Sequence, residues 1–200
     1  MNMFNISTRY EKIPVNGKFR FQCIRCNLCC GTGPNVTLTV FDVIRMAEFL
    51  NIHWRTFLYD YAKVIVGDMM VFIALRDKGN GECIFMEYEN GLTKCRIYPA
   101  RPMRCRLYPL YLVSPSAKYL HLDTECPGVG KGNYVSVPIQ LVNRYAYEVK
   151  YHYKEIMRRV LDEGQTPLEA LETVLEKLWD EAENGAEWAK PDYLEKLGST

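Results

Sequence analysis

Histidine is scarce in this chain, with three in 200 residues, and His53, His121 and His152 stand far apart. Each is expected at the surface or as a cap, not as a metal ligand or general base, and no hydrolase triad can be assembled around them. Long apolar runs are missing too. The longest, Met69 to Leu75, is far short of the roughly 20 residues that cross a bilayer, which excludes a membrane-spanning helix. Nucleotide loops fail on their glycines: Gly31, Gly33 and Gly128, Gly130 are followed by Val36 and Asn133 where the last glycine is needed, and Gly130-Lys131-Gly132 is no phosphate loop. The start, Met1 to Ser7, has no basic residue followed by an apolar stretch, so no export signal is read and the expected compartment is the cytoplasm. With 48% hydrophobic and 24% charged residues, disorder and low-complexity architectures are also excluded.

Cysteine, by contrast, is abundant. Cys23-Ile24-Arg25-Cys26-Asn27-Leu28-Cys29-Cys30 packs four thiols into eight residues, and Cys83, Cys95, Cys105 and Cys126 bring the total to eight. Disulfides need an oxidising compartment, and bridges between such close neighbours are geometrically poor. Two-residue gaps instead let the backbone curl around one centre and turn successive sulfurs inward, as in ferredoxin-type sites. Metal ligation by all eight thiolates is therefore expected. The adjoining Gly31-Thr32-Gly33-Pro34 reads as a turn whose glycines could take positive φ and aim backbone amides at sulfur.

A five-residue pattern occurs twice, ten residues apart: Cys95-Arg96-Ile97-Tyr98-Pro99 and Cys105-Arg106-Leu107-Tyr108-Pro109. Each copy supplies a thiolate, a neighbouring cation, an aromatic ring to exclude water and a proline that fixes the exit of the chain. Uncompensated thiolates are costly to bury, so Arg101, Arg104 and Arg106 are expected to face the metal group or a partner. If eight thiolates make two four-coordinate sites, adjacent Cys29 and Cys30 serve different ones because consecutive side chains usually point apart. That division gives Cys23, Cys26, Cys29 and Cys126 to one site and Cys30, Cys83, Cys95 and Cys105 to the other. Charge fits a bound anionic group. Residues 162 to 200 hold eleven acidic and three basic side chains, a balance of −8, so the cysteine-bearing remainder carries +9 of the chain's overall +1. Thiolate-bound clusters carry net negative charge and offset part of it.

The Cys23 to Cys30 block, Cys83, the Cys95 to Tyr98 and Arg101 to Arg106 stretch, and Cys126-Pro127-Gly128 together resemble the CxxCxxCC cysteine-cluster family, over about residues 19 to 132. The resemblance implies a zinc- or iron-chelating domain of the YkgJ type with eight shared cysteines, and kinship with a flagellin lysine N-methylase that needs an iron-sulfur cluster.

The expected fold is α+β. A small cysteine-rich core of short β-hairpins and helices (1–135) precedes a C-terminal helical hairpin and tail (136–200), the two forming one structural domain. Strands are predicted at Phe19 to Gln22, Met69 to Leu75, Cys83 to Tyr88 and Leu92 to Arg96, the last pair joined at Asn90-Gly91. Helices are predicted from Thr39, over Trp54 to Ala62, from Val137 to the stop at Gly164, and from Thr166, where Thr, Pro and Glu169 make a start signal. The expected function is that of an iron-sulfur protein with one or two clusters, 4Fe-4S in type. It would carry electrons or serve as an accessory or assembly subunit of a larger redox enzyme, with a protein partner and no nucleic acid. Two alternatives stand beside it: a protein-lysine N-methylase using S-adenosylmethionine, and a zinc-stapled interaction module. No catalytic residue is assigned, and the Cys-x3-Cys-x2-Cys run of radical S-adenosylmethionine enzymes is absent.

Overall fold

The computed structural model describes residues 9–31, 36–190 and 192–198. Its longer helices begin where local chemistry dictates. Thr39 caps α2 (Val40–Leu50): its hydroxyl accepts the Asp42 N–H at 3.1 Å, and Asp42 Oδ2 accepts the Thr39 N–H at 3.0 Å. Two donors that a helix start leaves open are thereby satisfied. Asn51, at φ 54°, ends the helix in the left-handed conformation that its short amide tolerates. His53 then caps α3 (Trp54–Tyr61) by accepting the Arg55 N–H, the capping role expected of it.

The chain next forms β4 (Ala62–Gly67), which the sequence reading missed, and turns through Asp68 (φ 51°) into β5 (Met70–Leu75). Together with β3 (Thr37–Leu38) these make an antiparallel sheet in the order β3-β5-β4. The strand expected over Cys83 to Tyr88 is shorter. Cys83 touches Asp77 through an isolated bridge, the Met86 N–H turns back onto the Cys83 carbonyl at 2.9 Å, and only β6 (Met86–Glu89) is extended. Asn90 and Gly91, both at positive φ, join β6 to β7 (Leu92–Cys95) in the hairpin that the Asn-Gly pair predicts.

The N-terminal segment contains a strand that the sequence reading missed. β1 (Tyr10–Pro14) pairs with β9 (Tyr119–Asp123), which also pairs with β8 (Leu110–Leu112). β2 (Lys18–Phe21) pairs with β10 (Val129–Ser136), whose register breaks between Val129 and Tyr134. Two one-turn helices, α1 (Leu28–Gly31) and α4 (Met103–Leu107), carry cysteines.

The C-terminal part is α5 (Ile139–Asp162), a break at Gly164 (φ 69°) and α6 (Pro167–Glu183), which Thr166 and Glu169 start with a second capping box. Leu171, Val174, Leu175, Leu178 and Ala182 of α6 are all buried. They close a hydrophobic cluster with α2, α3 and the β3-β5-β4 sheet, each buried leucine contributing about 1.5–3 kcal/mol. A second cluster gathers β1, β8, β9, α4 and the start of α5 with α7 (Tyr193–Gly198). The tail packs back, Trp188 meeting Phe41 edge-on at 4.9 Å. The molecule is α+β. Among the described residues no helix is long and apolar enough to cross a membrane.

His152 departs from expectation. It is buried within α5, with Nε2 2.9 Å from the Val71 carbonyl and Nδ1 without a partner. Desolvation lowers its pKa below the ordinary value, so it belongs to the core and not to the surface.

Candidate metal centre

Five separate segments carry the cysteines. The Cys23–Cys26 loop turns at Arg25, which takes φ 53°. The Arg25 carbonyl accepts the Thr93 N–H at 3.1 Å, and its Nε donates to the Thr93 carbonyl at 3.0 Å, laying the loop along β7. α1 follows with Cys29 and Cys30. The Cys83 N–H donates to the Cys30 carbonyl at 2.6 Å, Cys95 ends β7, and Cys105 sits in α4. Cys83 belongs to the first hydrophobic cluster, and Cys30, Cys95 and Cys105 pack against it.

Cys126 approaches from the other side. The Gln22 N–H donates to the Gly128 carbonyl at 3.1 Å, and a Cβ on Gly128 would lie 2.4 Å from the Gln22 carbonyl oxygen. Only glycine lets the Cys126 turn come this close to the residue before Cys23.

Electrostatics shows which thiols sense one another. Burial first, then the charges of Cys83, Cys95 and Cys29, push Cys105 far up. Burial also raises Cys83 and Cys95, with Cys29 adding to both and Cys83 to Cys95. Cys29 and Cys30 have their sulfurs 3.7 Å apart; this contact lowers Cys29 to about 7 and raises Cys30. Burial raises Cys126, and Cys26 and Cys29 add to it. Cys29 thus lies in reach of both groups. The two neighbouring thiols do not point apart as expected, because in a helical turn consecutive side chains are only about 100° apart.

A further pattern favours the ionised form of three of these thiols. The backbone amides of Phe85 and Met86 lower Cys83, that of Ile97 lowers Cys95 and that of Gly128 lowers Cys126, each against the larger effect of burial. In all three cases the amide of residue i+2 favours the thiolate of residue i. Donors aimed at sulfur favour the thiolate over the thiol, and the thiolate is the form that binds metal. As the side chains stand, no three His, Cys, Asp or Glu among the described residues converge on one ion. The donor chemistry nonetheless fits a thiophilic metal: clustered thiols, each costly to ionise alone, with backbone donors already placed for the ionised form.

The arginines take separate places. Arg101 lies over the Tyr98 ring at 3.7 Å, and its charge lowers Cys95. Arg104 lies over Tyr111 at 4.0 Å. Arg106 donates to the carbonyls of Pro99 and Arg101, and burial lowers it to about 10. Lys78, which the sequence reading missed, acts on Cys83 as Arg101 does on Cys95. Gly31 is helical, with its N–H on the Asn27 carbonyl at 2.6 Å, while Thr32 to Asn35 lie outside the described residues.

Sequence reasoning also missed a buried ionic network behind Cys105. Asp42 Oδ1 accepts the Met103 N–H, the first of α4, at 3.0 Å and Arg45 Nη2 at 2.9 Å. Arg45 grips Glu148 of α5 with both terminal nitrogens at 2.7 Å, and Arg144 Nε reaches the same carboxylate at 2.7 Å. Asp42, Arg45 and Glu148 are at most 5% exposed. Two cations and two anions balance, so the burial is electrically neutral. The signal available was Asp42 itself, legible as a helix cap but not as the anchor of a second helix.

The chain matches the model of the CxxCxxCC family, described as "Putative zinc- or iron-chelating domain", over residues 22–127. That span holds all eight cysteines, and the chain belongs to this family of thiolate metal-binding proteins. It is also similar to the uncharacterized protein MJ0661 of Methanocaldococcus jannaschii, 31% identical over 112 residues that make up 52% of this chain and 57% of that protein. The match therefore spans little more than half the length of that curated relative. No solved structure matches the chain.

Proposed function

We propose that the chain is an iron-sulfur protein that carries electrons, or serves as an accessory subunit, for a larger redox enzyme in the cytoplasm, where thiols stay reduced. The observation that carries this reading is the set of eight cysteines inside the family match over residues 22–127, with Cys30, Cys83, Cys95 and Cys105 in or against one hydrophobic cluster. Cys30, Cys83, Cys95 and Cys105 hold one centre, and Cys23, Cys26 and Cys126 contribute to a second, with Cys29 between them. Thiolates around a cluster bind separate iron atoms and stand wider apart than those around one ion, which agrees with donors that approach without converging. When bound, such a cluster gains or loses one electron with little rearrangement, and full thiolate ligation leaves no open position for a substrate. The protein's own part is to insulate the buried set with the α2-α3-α6 core and to offset its charge with Arg101 and Lys78. Residues 1–135 hold the centres and 136–200 buttress them as one structural domain, with the acidic outer face of α6 available to a protein partner.

One contact favours zinc instead. Around tetrahedral zinc, Zn–S bonds of about 2.3 Å put sulfurs about 3.8 Å apart, close to the 3.7 Å between Cys29 and Cys30. Iron, zinc and acid-labile sulfide, counted per chain on protein purified without oxygen, decide between them. Iron and sulfide in equal amount, about four or eight of each, are the expected result; zinc without sulfide would make this a stapled module and remove the electron-transfer reading.

A further inference from the structure

The stretch that carries the first four cysteines contains no acid. Between Glu11 and Asp42, and again between Glu125 and Glu148, no aspartate or glutamate occurs, although 24 in 200 residues would place one at about every eighth position. β2 and β10 come from these two stretches and pair with each other. One side of this ribbon is covered: Phe19 is buried, and Phe21, Val129 and Val135 pack against the second hydrophobic cluster. The other side is open. Tyr134 lies opposite Arg20 and Ser136 opposite Lys18, and all four are exposed, Tyr134 at 71%. Arg20 Nε donates to the Gly132 carbonyl at 3.1 Å, which fixes that guanidinium on the ribbon. Lys131 is exposed in the register break, between Gly130 and Gly132 at positive φ. A Cβ on Gly132 would lie 2.7 Å from the Gln22 Cβ, so the break lies against the residue that precedes Cys23. Cys23 is itself exposed. Nearby cations have acids to meet: Arg9 reaches Glu125 at 3.2 Å and Arg25 reaches Glu89 at 3.9 Å. Among the described residues no carboxylate pairs with Lys18, Arg20 or Lys131.

We propose that this face, formed by Lys18, Arg20, Lys131 and Tyr134 beside Cys23, docks the acidic surface of a protein that exchanges an electron with the centre that Cys23 serves. The proposal rests on the iron-sulfur reading above. Cations without internal acids keep their charge for a partner, and complementary charge steers encounter and fixes orientation. Redox encounters bury little area, below about 1,200 Å² in total, so a few charges around one exposed ring suffice. The step moves one electron between the redox groups of the two proteins, one oxidised as the other is reduced, with no bond made or broken. It needs the partner close to the metal, and the loop that leaves this face carries Cys23 and Cys26. A nucleic acid strand fits less well, because its bases stack on rows of aromatic rings, and of the ribbon's rings only Tyr134 faces out.

The test titrates the full chain, purified without oxygen and with its metal counted, against a strongly acidic plant-type ferredoxin as the probe, by calorimetry at about 20 and about 200 mM salt. Lys18→Glu with Lys131→Glu is compared with Lys150→Glu and Lys154→Glu on α5, exposed lysines whose reversal changes net charge equally. Wild type is expected to bind at low salt and to weaken at high salt. At low salt the first pair should lose about tenfold in affinity and the second less than about twofold. If circular dichroism shows the first pair misfolded, Lys18→Gln with Lys131→Gln takes its place, with the same order and a smaller loss expected. Equal losses in the two pairs, or no binding by wild type, overturn the proposal. So does an oligothymidine that binds wild type more tightly than the ferredoxin does and is lost in the first pair, which would make this a nucleic-acid face. A wild-type dimer at low salt that the first pair abolishes overturns it too, giving the face to the acidic α6 of a second copy. Zinc without sulfide removes the electron-transfer reading by itself, while the titration still decides whether an acidic protein docks here.

Discussion

The thiols of Cys30, Cys83, Cys95 and Cys105 and those of Cys23, Cys26 and Cys29 face different surroundings. The first four lie in or against the hydrophobic cluster of α2, α3, α6 and the β3-β5-β4 sheet. The second group sits on a loop and one helical turn, with Cys23 and Cys29 exposed, tied down mainly through Arg25, Thr93 and Gln22. Packing holds these four thiols, Cys83 buried and the other three half-buried, near one another before any metal arrives, but it makes their ionisation expensive. At the surface ionisation is easier and the geometry is weaker, so the bound metal must supply more of the order. A buried centre should accordingly exchange slowly, and a surface centre should load and lose metal readily.

Each side of this contrast can be broken by substitution. Asp42→Ala should have the largest effect, since it leaves Arg45 short of a partner and the Met103 and Thr39 N–H groups buried without an acceptor. A loss of about 3–5 kcal/mol in urea denaturation is expected; a loss below about 1 kcal/mol would mean that the network does not anchor α4. Cys105→Ser and Cys23→Ser should both lower metal content, but only the buried change should also cost about 1–3 kcal/mol of fold stability, through a hydroxyl without a good partner. Equal destabilisation of the two would erase the distinction between the groups. Gly128→Ala should push the Cys126 turn away from Gln22, at a cost of about 1–3 kcal/mol, and release metal from the surface side first. Metal counts during stepwise chelation would show the order.

The smallest effect concerns His152 in the buried core. Its folded pKa lies below the unfolded value of 6.5 because of burial, against the raising influence of the Val71 carbonyl and Asp42. The unfolded chain therefore binds the proton more readily, and the stability that neutral His152 contributes is present above about pH 6.5 and lost as pH falls below it. Denaturation midpoints from pH 7.5 to 5 should decline in the wild type and decline less in His152→Gln; parallel curves would assign the acid sensitivity to other groups.

What was legible in the sequence was local. The Thr39-Asp42 and Thr166-Glu169 caps, the Asn90-Gly91 turn and the apolar stripe of α6 each lie within a few residues, where spacing alone decides the structure. What stayed hidden depends on distant partners. β1 lacks a strong alternation and is extended because β9, over 100 residues away, pairs with it. The same holds for Asp42, which accepts the Met103 N–H of α4 and reaches Glu148 of α5 only through Arg45. The eight cysteines were visible as a set; the α1 turn that places the Cys29 sulfur beside that of Cys30 was not.

The pairing of β2 with β10 also has a meaning in time. At about 5–20 residues per second of synthesis, the strand leading into Cys23 waits for roughly 5–20 s before Val129 to Ser136 exist to receive it. For much of that interval Cys23 and Cys26 have emerged with neither Cys126 nor the Gly128 contact beside them. An interrupted chain ending before residue 126 would present these thiols bare, open to oxidation or to the wrong metal.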